Sequence, residues 1–93
     1  MSNKKALLVI DMLNDFIKPD GALYIGEEAG RVTKEIEAIV SNARREGMPI
    51  IYICDNHRVD DAEFNMFKAH CVRGTKGAEI VEELAPQPGD YII

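Results

Sequence analysis

Ala6-Leu7-Leu8-Val9-Ile10-Asp11 is a run of five apolar residues bounded by Lys4-Lys5 on one side and a carboxylate on the other. An uninterrupted apolar run of this length, without polar alternation, reads as a strand buried on both faces of a parallel sheet. Downstream, residues 12–26 follow neither the helical nor the strand period, and Pro19-Asp20-Gly21 supplies turn chemistry, so a long loop is expected there. Val32, Ile36, Ile39, Val40 and Ala43 then form one apolar stripe at helical spacing. Glu27 and Glu28 suit the positive end of that helix, Arg44 and Arg45 its negative end, and Gly47 and Pro49 stop it. Ile50-Ile51-Tyr52-Ile53-Cys54 is a second apolar run. Strand, helix and strand together make a βαβ unit with a right-handed crossover.

Beyond it, residues 55–75 read as a second long loop, anchored only by Phe64, Met66 and Phe67. Ala78, Ile80, Val81 and Leu84 predict a short amphipathic helix ended by Pro86, Pro88 and Gly89, and Tyr91-Ile92-Ile93 the start of a third strand. The fold class is therefore α/β with a parallel sheet, in a single unit over residues 1–93.

Composition narrows the function. Ninety-three residues bury about 64% of their unfolded surface, enough for one core. A net charge of −5, from 11 basic and 16 acidic residues, argues against a phosphate-tracking nucleic-acid surface or an anionic-membrane anchor. No apolar run approaches the ~18 residues of a membrane span. The basic, then apolar N-terminus runs into Asp11 without a small-residue cleavage site, so no signal peptide is expected. Cys54 and Cys71 are too few for a disulfide scaffold and read as reduced cytoplasmic thiols.

Ligands of open α/β sheets bind beyond the carboxyl ends of the strands, where both long loops leave. Each loop opens on an acid, Asp11 or Asp55. A carboxylate there can act as general base, metal ligand or loop cap. Asp55-Asn56-His57 places a carboxylate and an imidazole two residues apart, on one side of an extended segment, where they can share an ion. His70 offers a third ligand and Glu63 a fourth; Zn²⁺, Mn²⁺ and Fe²⁺ all suit such a set. By spacing alone, a solvated loop with two incidental histidines stands equally open, and the acids at 60, 61 and 63 read as a solvated face. His70 next to Cys71 invites a thiolate reading, but sequence neighbours seldom face each other. Cys54 reads as a small buried hydrophobe. Arg73-Gly74-Thr75-Lys76-Gly77 lacks phosphate-loop spacing and reads as a turn.

Several segments, in order, resemble the isochorismatase-like cysteine hydrolases, the superfamily that includes nicotinamidases. They are ALLVIDMLNDF at 6–16, GAL at 21–23, Asp55-x-His57, HCVRGTKGAE at 70–79 and PGDYII at 88–93. The resemblance implies a three-layer α/β/α, Rossmann-like fold, of which this chain matches the N-terminal half: about three strands and two helices. It further implies an aspartate, lysine and cysteine triad, with Asp11 as the acid/base. The family's lysine follows the third strand and its cysteine comes later at a helix N-terminus, so neither is expected among these residues. In nicotinamidase-like members, a divalent metal held at positions matching Asp55, His57 and His70, and in some also Glu63, accepts the pyridine nitrogen of the substrate. Phe16 would line the substrate pocket. Asn56 departs from the aromatic residue common in nicotinamidases.

The implied activity is hydrolysis of a small, nicotinamide-like carboxamide through a cysteine thioester. The rival reading is a non-catalytic metal-binding or assembly fragment. The first strand is central in such a fold, so half of the domain leaves an apolar sheet edge that invites a homo-oligomer or pairing with a complementary C-terminal half. A receiver-like module also fits the βαβ pattern, but leaves the segment at 70–79 unexplained.

Overall fold

A computed structural model describes residues 4–93. Strand β1 (Leu7–Ile10), the short helix α1 (Asn14–Ile17), helix α2 (Glu28–Arg45) and strands β2 (Ile50–Ile53) and β3 (Tyr91–Ile92) follow in chain order. The sheet order is β1-β2-β3, all parallel, with Leu7 opposite Ile50, Val9 opposite Tyr52 and Ile51 opposite Tyr91. The expected parallel βαβ pattern is present.

One side of the sheet is covered. Val9, Ile50 and Tyr52 are buried with Ala29, Val40 and Ala43 of α2, and with Met12, Ile17, Val81 and Leu84. Each such apolar side chain contributes about 1.5–3 kcal/mol on burial. The other side differs from the reading of a strand buried on both faces. Leu8 and Ile10, alternating with Val9, stand 49% and 57% exposed, and Tyr91 and Ile93 are exposed too. Among the described residues only one helical layer is laid against the sheet, so the second half of the alternation meets water.

The buried stripe of α2 also differs in detail. It runs Ala29, Thr33, Val40, Ala43, with Ile36 partly buried, whereas Ile39 is 53% exposed. Thr33 can lie in the core because its hydroxyl donates to the Ala29 carbonyl at 2.7 Å. The helix ends as the sequence predicts. Gly47, at φ +73°, lets its N–H reach the Arg44 carbonyl at 3.0 Å and the Met48 N–H the Ala43 carbonyl at 2.9 Å, satisfying carbonyls that the helix leaves open.

The amphipathic helix expected over 78–84 does not form. Its ends are separate 3₁₀ turns, Lys76–Ala78 and Glu82–Leu84. Between them, Ile80 makes an antiparallel bridge with Leu13. Val81 N–H donates to the Met12 carbonyl at 3.0 Å and Asn14 N–H to the Glu79 carbonyl at 3.0 Å. That pairing holds residues 79–81 extended. The two loops carry short pieces as well, α1 in the first and a 3₁₀ turn, Ala62–Asn65, in the second. No described helix is long and apolar enough to cross a membrane.

A polar cluster closes the end of the sheet away from the loops. The buried Tyr52 hydroxyl donates to the Leu84 carbonyl at 2.7 Å and accepts from Arg44 at 3.2 Å. The same guanidinium pairs with Asp90 at 2.6 Å, tying α2 to the segment that leads into β3.

Candidate functional site

Asp11 ends β1 in the left-handed region, at φ +56°, which a short polar side chain tolerates better than a bulky one. Its N–H still donates to the Ile53 carbonyl at 2.8 Å, so it stays docked on β2. Its Oδ1 accepts from the Asp55 N–H at 2.9 Å. The first residue beyond β1 and the second beyond β2 are thereby joined.

Asp55 leads into His57, whose backbone lies beside residues 71–73. His57 N–H donates to the Cys71 carbonyl at 2.9 Å, and Arg73 N–H to the His57 carbonyl at 2.7 Å. This parallel pairing brings His57 alongside His70, with ring centroids 4.8 Å apart. His57 Nε2 lies 3.4 Å from Asp55 Oδ2 and 3.1 Å from Glu63 Oε2; His70 Nε2 lies 3.4 Å from Glu63 Oε2 and 3.9 Å from Asp55 Oδ2. Ligand atoms of Asp55, His57 and His70 all fall within 4.8 Å of one another. The structure thus brings together all four residues singled out in the sequence as cation ligands.

The remaining ring nitrogens show which way the lone pairs point. His70 Nδ1 is 2.7 Å from the Lys68 carbonyl, which can only accept, so Nδ1 carries the proton. His57 Nδ1 is 3.0 Å from Asp61 Oδ2, again an acceptor. With the proton on Nδ1, the Nε2 atom of each ring is the one that faces the two carboxylates. His57 Nε2 is buried without a hydrogen-bond partner. Two ring nitrogens and two carboxylates converging on one point call for a shared cation or a ring proton among them, and a buried nitrogen without a hydrogen-bond partner needs an explanation. A divalent metal fits: ligands about 2.0–2.1 Å from a tetrahedral ion stand about 3.3–3.4 Å apart. The Asp61 hydrogen bond pushes the His57 pKa up, partial burial opposes it, and the Glu63 and Asp55 carboxylates add to it.

The floor of the cluster is aromatic. Phe16 is tilted against His70 at 5.7 Å, where the sequence reading placed a pocket wall. Phe64 stands edge-on to both imidazoles, at 5.4 Å and 5.6 Å. In the sequence Phe64 is only a loop anchor; its place beside Glu63 in one short turn is the signal for a site role.

One further acid matters, Asp15, which the sequence reading quoted within the 6–16 segment without giving it a role. Asp15 accepts from the Ala22 N–H at 3.0 Å through Oδ1 and from the Cys71 N–H at 2.8 Å through Oδ2. Gly77 backs directly onto this carboxylate, leaving no room for a Cβ. Asp15 thereby fixes Cys71, which takes φ +47°, and with it the neighbouring His70. Cys71 itself is fully buried, and burial, with Asp15, Asp55, Asp11 and Cys54 adding, pushes its thiol up to about 12. Burial, then Asp11 and Asp55, raises the Cys54 thiol as well. Neither thiol is suited to nucleophilic attack, in accord with the sequence reading. Gly74, at φ +81°, and Thr75, whose hydroxyl donates to the Val72 carbonyl at 2.6 Å, make the turn expected at 73–77.

A parallel α/β sheet with two histidines and two carboxylates clustered beyond its strand ends defines an α/β protein with a group of side chains that could hold a metal ion. Residues 5–93 match the isochorismatase domain, and the chain belongs to that family. It is 31% identical over 86 residues to an isochorismatase-family protein of Bacillus subtilis, covering 89% of this chain and 47% of that one. Its fold superposes on N-carbamoylsarcosine amidase from Thermoplasma acidophilum with a TM-score of 0.83, at 36% identity, covering 94% and 49% of the two chains. A pyrazinamidase of Pyrococcus horikoshii, solved in complex with zinc, gives a TM-score of 0.87 at 28% identity, covering 98% and 51%. The chain spans about half the length of the relatives it matches.

Proposed function

We propose that this chain supplies the acid/base aspartate and the metal ligands of a cysteine hydrolase acting on a small, nicotinamide-like carboxamide. The observation that carries this reading is the join at Asp55: its N–H holds Asp11, while its carboxylate faces His57 and His70. The nucleophilic cysteine and its lysine lie outside these residues, a reading supported by the buried, high-pKa state of Cys71. On this reading residues 1–93 are the N-terminal half of the hydrolase domain, supported by the match of residues 5–93 to the isochorismatase domain.

In the reaction, Asp11 accepts the proton of the cysteine thiol as sulfur bonds to the amide carbonyl carbon. The tetrahedral adduct collapses to a thioester, the C–N bond breaks, and Asp11 returns the proton to the leaving ammonia. Asp11 then takes a proton from water as the water oxygen bonds to the thioester carbonyl carbon; the C–S bond breaks, releasing the acid, and Asp11 returns the proton to the sulfur. The Asp55 N–H on Oδ1 holds Asp11 in place and leaves its other oxygen for the proton. Asp55, His57, His70 and Glu63 would hold Zn²⁺, by analogy with the zinc-bound pyrazinamidase, with Mn²⁺ or Fe²⁺ as alternatives. A bound cation would supply a Lewis-acidic anchor for a ring nitrogen of the substrate. Phe16 and Phe64 would flank that ring.

Asp11→Asn in the protein carrying this chain should lower amide hydrolysis by about 10²–10⁴-fold with metal content unchanged. Undiminished turnover would sink the reading. Ammonia release from the carboxamide by residues 1–93 alone would show that the nucleophile is not where this mechanism puts it. A second reading, an assembly module, is favoured by the uncovered apolar face carrying Leu8, Ile10 and Tyr91.

A further inference from the structure

We propose that Asp61 is a positioning residue for the cation cluster, its single carboxylate fixing the His57 ring through Oδ2 and the turn that carries Glu63 through Oδ1. The inference rests on reading the cluster as a metal site. His57 can offer a lone pair at either ring nitrogen. Asp61 Oδ2, 3.0 Å from Nδ1, is an acceptor, so a lone pair at Nδ1 would face a carboxylate and the proton is kept there. The lone pair is then at Nε2, the buried atom left without a partner. A carboxylate behind a ligating imidazole also makes it a stronger donor to a metal.

The other oxygen does a separate task. Asp61 Oδ1 accepts from the Glu63 N–H at 2.8 Å and caps the turn Ala62–Asn65. A four-residue 3₁₀ turn has little stability of its own, so the cap decides where Glu63 and Phe64 stand. From that turn Glu63 Oε2 reaches both Nε2 atoms, and the Phe64 ring packs on both imidazoles. Asp60 provides the contrast. It faces solvent, paired among the described residues only with the exposed Arg58 at 3.3 Å, and has no part in the cluster.

The test compares Asp61→Asn, Asp61→Ala and, as control, Asp60→Asn, in two measurements. Zinc affinity is read by competition with a chromophoric chelator, and the His57 tautomer by ring ¹⁵N shifts of the metal-free protein at alkaline pH. Asn keeps an oxygen to cap the turn but loses the carboxylate behind His57. Asp61→Asn should weaken zinc by about 10–100-fold and move the ring from the Nδ1–H towards the Nε2–H form, with Asp60→Asn unchanged. Asp61→Ala, lacking the cap too, should lose at least as much. Unchanged zinc affinity in Asp61→Asn, or weaker zinc with the Nδ1–H form retained, would overturn the proposal. Failure of the wild-type protein to take up zinc would instead remove the metal reading, and the tautomer comparison alone would then decide the role of Asp61.

Discussion

Asp15 and Gly77 offer a double-mutant cycle whose outcome follows from one contact. Gly77 has no left-handed φ, so alanine is acceptable to its backbone and, absent a collision, would stabilise by about 0.4–1 kcal/mol. The added Cβ would land on the Asp15 carboxylate, which cannot turn away without releasing the Ala22 and Cys71 N–H groups. Hydrogen bonds to a charged group are worth about 1.5–3 kcal/mol each, and Asp15 is half-buried, so water recovers part of the loss. Gly77→Ala should therefore cost about 3 kcal/mol, as should Asp15→Ala, which deletes the same two bonds. In the double variant the Cβ enters space already vacated, and Gly77→Ala becomes neutral or slightly stabilising, giving a coupling of about 3 kcal/mol. Urea unfolding followed by far-UV circular dichroism measures it, since the chain has no tryptophan. If Asp15→Ala is too unstable, Asp15→Asn, which retains one acceptor, should show about half the coupling. An equal penalty for Gly77→Ala with and without Asp15 would refute the reasoning.

Tyr52→Phe removes the hydroxyl between Leu84 and Arg44 and leaves a buried carbonyl without its donor; a loss of about 1–2 kcal/mol is expected in the same unfolding assay, and no loss would show that water replaces the bond. With its thiol raised to about 12, Cys71 is thiolate to only about one part in 10⁴ at pH 8. Alkylation of the native protein should leave Cys71 unmodified, with peptide mapping showing labelling that rises about tenfold per pH unit below that pKa. Rapid modification of Cys71 at pH 8 would contradict the burial.

The sheet was legible because an apolar run between charges has few other readings, and β1, α2 and β2 lie within a few residues of their expected limits. Asp55 and His57 stood out through residue type and the two-residue step, and His70 as the other histidine of the loop, but spacing alone left a solvated loop equally open, and it was the family resemblance that favoured a metal set. What escaped was set by partners distant in sequence. Residues 79–81 carry a helical apolar pattern, but the Leu13–Ile80 bridge draws them out straight. Thr33 is polar by type, yet bonded within its own helix it is buried while Ile39 is not. Asp15 and Asp61 look like surface acids until the N–H groups they serve are located. The coverage of β1 depends on what lies against its second face, which no property of residues 6–10 reveals.

The bond from Asp15 to Cys71 spans 56 positions, and this separation bears on the order in which the molecule organises itself. Closing a loop of that length costs about 3.6 kcal/mol beyond the constant term, more than one hydrogen bond returns. Pairing β1 with β2 closes a loop of about 43 positions at nearly the same cost, but it is repaid by a ladder of backbone bonds and by the burial of Val9, Ile50 and Tyr52. The docking of Val81 and Leu84 against this pair brings the distant strand of chain back. Folding therefore runs from the hydrophobic side of the sheet towards the histidines, and local opening runs the other way. Amide hydrogens of Cys71 and His57 should exchange faster than those of β2, making the chemical end of the molecule the last to set and the first to loosen.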